Sequence, residues 1–356
     1  MAMLSRITIT AFKCLDDCQL ELTPLTLLTG PNSAGKSTVI QALLLLISNI
    51  LPEKELELHA AKFTYLRKIV KPFSLYDDII CRNSDKNDIG ISLHEGKNQN
   101  SGRFSKNTSH AIWDANAKTY IYDENLFYLR ADRTGPEEIV ELDNDQRIGD
   151  QGQYAFGSFE QCKDKPIHEH LQVKDADAKT LKAQLAWWLS YIIGEPIEAK
   201  AEKVSSRHVK VTFIMGDIGS ISPLNTGAGN SYLLKLLIMC LTAKPGDLLL
   251  IENPEIHLHP GAQSRLGKFL AFLAAREVQI IAETHCEHLI NRIRYEVYKK
   301  ELASEQVIIH YKPSAATPFT SLKINEQGHF CDLDGNEVRF PSGFFDSTLQ
   351  ELLEIG

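Results

Sequence analysis

The stretch Gly30-Pro31-Asn32-Ser33-Ala34-Gly35-Lys36-Ser37, followed by Thr38, decides how the chain is read. It spells G-x-x-x-x-G-K-S, the spacing of a phosphate-binding loop. Leu25-Thr26-Leu27-Leu28-Thr29 before it is a β-prone run of strand length, and the leucine-rich segment from Ser37 to about Leu51 after it predicts a helix stopped near Pro52. A strand, a glycine-rich turn and a helix start form the context that such a loop requires. Glycines let backbone N–H groups converge on phosphate oxygens, and the helix N-terminus adds partial positive charge. In this chemistry Lys36 reaches the β- and γ-phosphates and the Ser37 hydroxyl meets Mg²⁺.

Around this centre, the 356 residues suffice for one large α/β domain or two lobes. A hydrophobic content of 43% and a charged content of 24% suit a globular protein. The net charge of −8 argues against bulk attraction to polyanions. Local basic clusters at Lys62, Arg67, Lys68 and Lys71, and at Arg292, Arg294, Lys299 and Lys300, leave a nucleic-acid face as an alternative to solvated helix surfaces. Seven widely spaced cysteines with no preceding secretory signal fit reduced thiols in a cytoplasmic protein. The longest apolar run, Ala42 to Ile47, is too short to span a membrane.

Read in order, Leu4 to Thr10 and Cys18 to Leu22 predict paired strands turning at Asp16-Asp17. Glu57 to Val70 predicts a helix, Asp88 to Leu93 a strand, and Glu95 to Ser109 an exposed polar loop. Ala111-Ile112-Trp113 and Thr119 to Tyr122 are placed to form a hairpin. Leu126 to Leu129 reads as a buried strand delivering Arg130, Asp132 and Arg133 at its end, as ligand groups or as a strand-end ion pair. Ile148 to Gln161 reads as irregular, Lys174 to Ile193 as a helix and Val209 to Ile214 as a strand.

A second glycine-rich turn, Leu224-Asn225-Thr226-Gly227-Ala228-Gly229-Asn230-Ser231, precedes a predicted helix from Tyr232 to Leu241. The apolar strand Asp247 to Ile251 ends in Glu252-Asn253-Pro254-Glu255, and an acid in that place holds the Mg²⁺ that bridges phosphates. A helix is predicted from Gly261 to Ala275. The strand Val278 to Ala282 ends in Glu283-Thr284-His285, a polar triplet suited to sensing a γ-phosphate.

This order of loop, glycine turn, acid-ended strand and histidine-ended strand resembles the ABC-type ATPase heads of SMC and OLD-family proteins. Leu249 to Pro260 and Glu283 to Arg292 look like bacterial AAA-type ATPases often found in antiphage operons. Phe340-Pro341-Ser342-Gly343-Phe344-Phe345 resembles the Trp-Pro-x-Gly-Phe-Phe ending of one subfamily. The resemblance implies a P-loop NTPase of the ABC-ATPase head type, α/β, with a mixed or parallel central sheet, a β-rich N-terminal lobe and a helical subdomain. It places the head over 1–302 (β-rich lobe and loop over 1–165, helical segment and core over 166–302), followed by a small β-hairpin extension with a C-terminal helix over 303–356.

The resemblance also implies a working scheme. Two copies sandwich two ATP molecules with Mg²⁺, and each loop faces the other copy's glycine turn. Gly30, Asn32, Ser33, Ala34, Gly35, Lys36, Ser37 and Thr38 then bind nucleotide in cis, and Asn225, Gly227 and Gly229 in trans. Ser37 and Glu252 serve the metal, and His285 is the switch histidine. No residue is assigned the glutamine-loop role, since Gln41 is a poor match for it. Asn253 stands where the catalytic glutamate is usual, so Glu255 becomes the candidate base and slow hydrolysis is expected. A homodimer or higher assembly controlling a separately encoded effector follows. The competing schemes are a non-hydrolysing scaffold and an SMC-like DNA clamp; the acidic net charge and the lack of a heptad coiled coil weaken the clamp. A zinc-like reading of His257, His259, His285, His288 and Cys286, and a nuclease reading of Asp332 and Asp334, are weaker than structural roles.

Overall fold

The computed structural model describes residues 3–48, 76–105, 109–112, 118–342 and 344–345. The predicted helix over Glu57–Val70 with its basic cluster, Trp113, and the terminal helix after Ser347 lie outside them. Short apolar runs with polar ends build a seven-stranded sheet of β3 (Leu25–Thr29), β7 (Leu126–Leu129), β12 (Leu248–Glu252), β13 (Gln279–Glu283), β14 (Val307–Tyr311), β15 (Thr320–Ile324) and β16 (Phe330–Cys331). Its order is β16-β15-β14-β3-β13-β12-β7. Pairing is parallel from β14 across to β7 and antiparallel through β15 and β16.

The continuous apolar runs have a simple cause. Leu249 and Ile251 of β12 point into one core and Leu248 and Leu250 into another. A strand covered on both faces needs no polar alternation. On one face lie helix α1 (Lys36–Ser48) and an antiparallel sheet, β2-β1-β4-β5-β6, of Leu15–Glu21, Leu4–Phe12, Ile89–Glu95, Asn98–Phe104 and Ser109–Ile112. On the other lie α2 (Ala155–Cys162), α3 (Leu181–Ile193), α4 (Ala228–Leu241), α5 (Pro260–Ala274) and α6 (Glu287–Tyr298). A third sheet packs against α2 and α3. In it, β10 (His208–Met215) pairs with β9 (Ile197–Lys203), β8 (Ile139–Glu141) and β11 (Gly219–Ile221).

Several expectations are corrected. Within the polar segment 95–109, Asn98–Phe104 is a hairpin arm paired with Ile89–Glu95. Its inward residues are Asn100, Gly102 and Phe104, a set whose alternation hydropathy alone does not reveal. Gly102 sits where a Cβ would lie 2.7 Å from Leu46, so β5 presses directly on α1. Ser109–Ile112 pairs with β5 rather than with Thr119–Tyr122. Asp16 and Asp17 lie within β2, and the chain reverses at Lys13-Cys14. Part of the glycine-rich 148–161 segment is helical from Ala155 because Phe156 and Phe159 enter the core. Helix α3 starts late, at Leu181, where Thr180 accepts from the Ala183 N–H.

The segment after residue 302 contributes its first strand, β14, to the central sheet beside β3; β15 and β16 form one expected hairpin, and 330–332 pairs with 336–338 across the Asp334-Gly335 turn as the other. Phe340 packs on Phe330 and Tyr311, with ring centroids 4.9 and 5.5 Å apart. On β14, the fully buried His310 ring bridges Ser321 Oγ and the Glu21 carbonyl, both at 2.8 Å. The carbonyl can only accept, so Nε2 donates and Nδ1 accepts from Ser321. Burial lowers the imidazole pKa to about 4, against about 6.5 in an unfolded chain. Its stability contribution is therefore complete above pH 6.5 and is lost as pH falls through about 4. Between pH 7.5 and 4.5, wild type is expected to lose roughly 2–3 kcal/mol more than His310→Gln, read by urea unfolding at the two pH values.

Candidate nucleotide site

Helix α1 begins at Lys36, so the donors of its first turn face the loop without intrahelical acceptors. Lys36 is 2% exposed and donates to the Pro31 carbonyl at 2.7 Å. Burial lowers its pKa, and the Glu283 carboxylate, 3.4 Å away, counters that effect. Ser37 Oγ donates to Glu283 Oε2 at 2.6 Å. The two groups predicted to meet phosphate and Mg²⁺ thus converge on one of the protein's own anions. Ammonium, hydroxyl and helix start form a donor set that fits phosphate. The Ser37 and Glu283 oxygens are the hard ligands that Mg²⁺ takes. Of the remaining loop residues, Asn32 and Ser33 are exposed, whereas Gly30, Ala34 and Thr38 are buried and Gly35 is half-buried. Gln41 is occupied elsewhere, accepting from Lys13 Nζ at 2.7 Å.

Glu252 and Glu283 are opposite residues of parallel strands, with β13 between the loop strand β3 and the acid-ended strand β12. Burial pushes the Glu252 carboxyl pKa up, opposed by the Tyr128 hydroxyl, which donates at 2.8 Å, and by the Ala131 N–H at 3.1 Å. These two bonds come from β7 and its following loop. Arg133 donates to the Glu252 backbone carbonyl at 2.6 Å and is buried between Glu252 and Glu255, with its pKa lowered to about 10 by desolvation. It therefore stays charged at neutral pH. The strand-end arginine flagged in the sequence belongs to the acid's scaffold, whereas Arg130 pairs with Asp132 and Asp150.

Asn253 has φ of 42°, and its buried Oδ1 has no partner among the described residues. Glu255 is 8% exposed. Its Oε1 accepts from the His285 N–H at 3.0 Å, and its Oε2 lacks a partner among the described residues. Burial raises its pKa. The His285 ring lies 3.9 Å from Glu283 Oε1. Desolvation and the Lys36 charge lower its pKa, so it is neutral at pH 7.

In the second glycine turn, Asn225 and Gly227 are exposed and Leu224 is 63% exposed. A Cβ on Gly227 would meet nothing within 4 Å. Helix α4 starts at Ala228, earlier than predicted, which puts Gly229 in its first turn. There a Cβ would fall 2.5 Å from the His257 carbonyl oxygen, so Gly229 is needed for packing within the chain. His257 stacks on Tyr232, with centroids 5.2 Å apart, His259 caps α5 and Cys286 caps α6. No group of metal ligands forms among the described residues. Two contributions went unassigned in the sequence. Glu283 was visible only as part of a polar triplet, and the bond from Tyr128 to Glu252 had no sequence signal.

The strand-loop-helix unit beside an acid-ended parallel strand defines a P-loop NTPase with an ABC-type head fold. The chain belongs to the AAA ATPase domain family, whose model matches residues 3–185; a model described as AAA domain, putative AbiEii toxin, Type IV TA system, matches residues 109–291. The Smc head domain of Pyrococcus furiosus, solved with an extended coiled coil and bound to the C-terminal domain of ScpA, superposes with a TM-score of 0.57 at 11% identity, covering 100% of each chain. The Smc head domain of Pyrococcus yayanosii, solved with a coiled coil and joint, gives 0.57 at 10% identity, covering 92% of this chain and 98% of that one. An OLD nuclease of Thermus scotoductus is 44% identical over 50 residues, which are 14% of this chain and 10% of that protein.

Proposed function

We propose that this chain binds ATP with Mg²⁺ at the loop Gly30–Thr38, hydrolyses it slowly, and pairs head-to-head with a second copy. Each loop then meets the partner copy's exposed turn at Asn225 and Gly227. The paired state regulates a separately encoded effector, and antiphage defence is the setting that the operon resemblance favours. The convergence of Lys36 and Ser37 on a buried anion carries this reading. In it, Glu252 serves the metal through the face its Tyr128 and Ala131 bonds leave open. Glu255 Oε2 takes the proton that the Asn253 amide cannot, and His285 senses the γ-phosphate beside Glu283.

Asn253 also supports a second reading, an ATP-gated scaffold without useful turnover. Single-turnover phosphate release separates the two. If the chain is an ATPase, wild type cleaves slowly and Glu252→Gln and Glu255→Gln each lower the rate by about 100-fold, as loss of a general base or metal carboxylate commonly does. Cleavage unchanged in Glu255→Gln removes its role as base, and no cleavage in wild type leaves the scaffold. Mass photometry is expected to shift from monomer to dimer only with ATP and Mg²⁺. A mass that ignores nucleotide ends the head-to-head scheme.

A further inference from the structure

Glu283 occupies an unusual place. It closes β13, the strand between the loop strand and the acid-ended strand, and its side chain is 9% exposed. One oxygen faces Lys36 Nζ at 3.4 Å, and the other accepts from Ser37 Oγ at 2.6 Å. Among the described residues, its other close ionisable neighbours are the His285 ring, 3.9 Å away, and the like-charged Glu252 opposite it on β12. Among the described residues, Lys36 is the closest positive charge to this carboxylate.

Phosphate oxygens draw on the same ammonium. Once Lys36 turns to them, Glu283 is left buried, unbalanced and facing a polyanion, a repulsion undiminished by bulk water. A divalent cation at Ser37 removes that repulsion, because Ser37 Oγ and Glu283 Oε2 already stand a hydrogen bond apart and are both oxygen donors. Glu252 cannot balance Glu283, since it is itself an acid, one strand further from the loop.

Resting on the reading of the loop as an ATP site, we infer that Glu283 is a placeholder anion. It holds Lys36 and Ser37 in position while no nucleotide is bound, and it makes nucleotide binding conditional on Mg²⁺, so that free ATP is rejected. The glutamine-loop role left open in the sequence falls, on this view, to a carboxylate on β13.

The test is the affinity of the full chain for a fluorescent N-methylanthraniloyl-ATP, titrated with excess Mg²⁺ and with EDTA. Wild type is expected to bind at least about 100-fold more tightly with Mg²⁺. Glu283→Gln keeps the shape and removes the charge; it should bind in EDTA at least about tenfold more tightly than wild type and lose most of the Mg²⁺ dependence. Glu283→Ala is expected to behave alike and serves if the glutamine variant misfolds, with thermal melts as the folding control. The inference is overturned if both folded variants keep the wild-type ratio. Failure of the underlying reading looks different: wild type would bind the probe in neither condition, or Lys36→Ala would bind it as wild type does.

Discussion

Lys36→Ala is expected to weaken ATP binding in Mg²⁺ by on the order of 100-fold while leaving a folded protein. Lys36 is the charged donor at the loop, nearly buried and already directed at an anion. Truncating one member of a buried, hydrogen-bonded charge pair costs roughly 2–5 kcal/mol of binding, and each ~1.4 kcal/mol is tenfold. The fold suffers less, because Ser37 still donates to Glu283. A penalty of about 2 kcal/mol lowers the melting temperature of a chain this size by only about 2–4 °C. Isothermal titration and a thermal melt on the same preparation read both effects. Full-strength binding by a folded Lys36→Ala protein contradicts the phosphate-loop role.

Gly30→Ala is expected to act on the fold itself, costing about 3–5 kcal/mol. Gly30 has φ of +135°, outside the range that side-chain-bearing residues favour. A Cβ there would lie 2.2 Å from the Lys312 carbonyl oxygen. That obstacle is backbone, held by the bond from the Lys312 N–H to the Thr29 carbonyl at 2.9 Å, so no side chain can step aside. Relief requires β3 and the end of β14 to part. Gly227→Ala is the matched control. Its φ is −59° and its Cβ would meet open space, so monomer stability should change by no more than about 0.5 kcal/mol. Urea midpoints of the two variants check the contrast. In the head-to-head scheme Gly227→Ala instead weakens ATP-driven pairing.

The parts of the site legible in the sequence are those whose chemistry is local. Lys36 and Ser37 follow from a fixed spacing, and Glu252 and His285 from the ends of continuous apolar strands. Such strands read clearly because two cores cover them. The strands of the antiparallel lobe read less well, since β5 fills its inward face with Asn100, Gly102 and Phe104. What stayed hidden is non-local. Glu283 acquires its place only because β13 enters beside β3, bringing it to Ser37 across 246 positions. Tyr128 gains its acid through the pairing of β7 with β12. Gly229 looked like a ligand contact in the second turn, but the His257 carbonyl gives it a packing duty that no spacing rule contains.

The strand feeding the phosphate loop is flanked by β13 and β14, both from the last third of the chain. During synthesis, Leu25 to Thr29 therefore emerges long before either neighbour exists, and all five residues are apolar or destined for burial. Pairing at such separation is slow, and unpaired strand edges recruit other chains. The nascent protein must keep this ribbon from aggregating until Tyr311 has left the ribosome, and a message truncated before that codon yields a product without a finished nucleotide sheet.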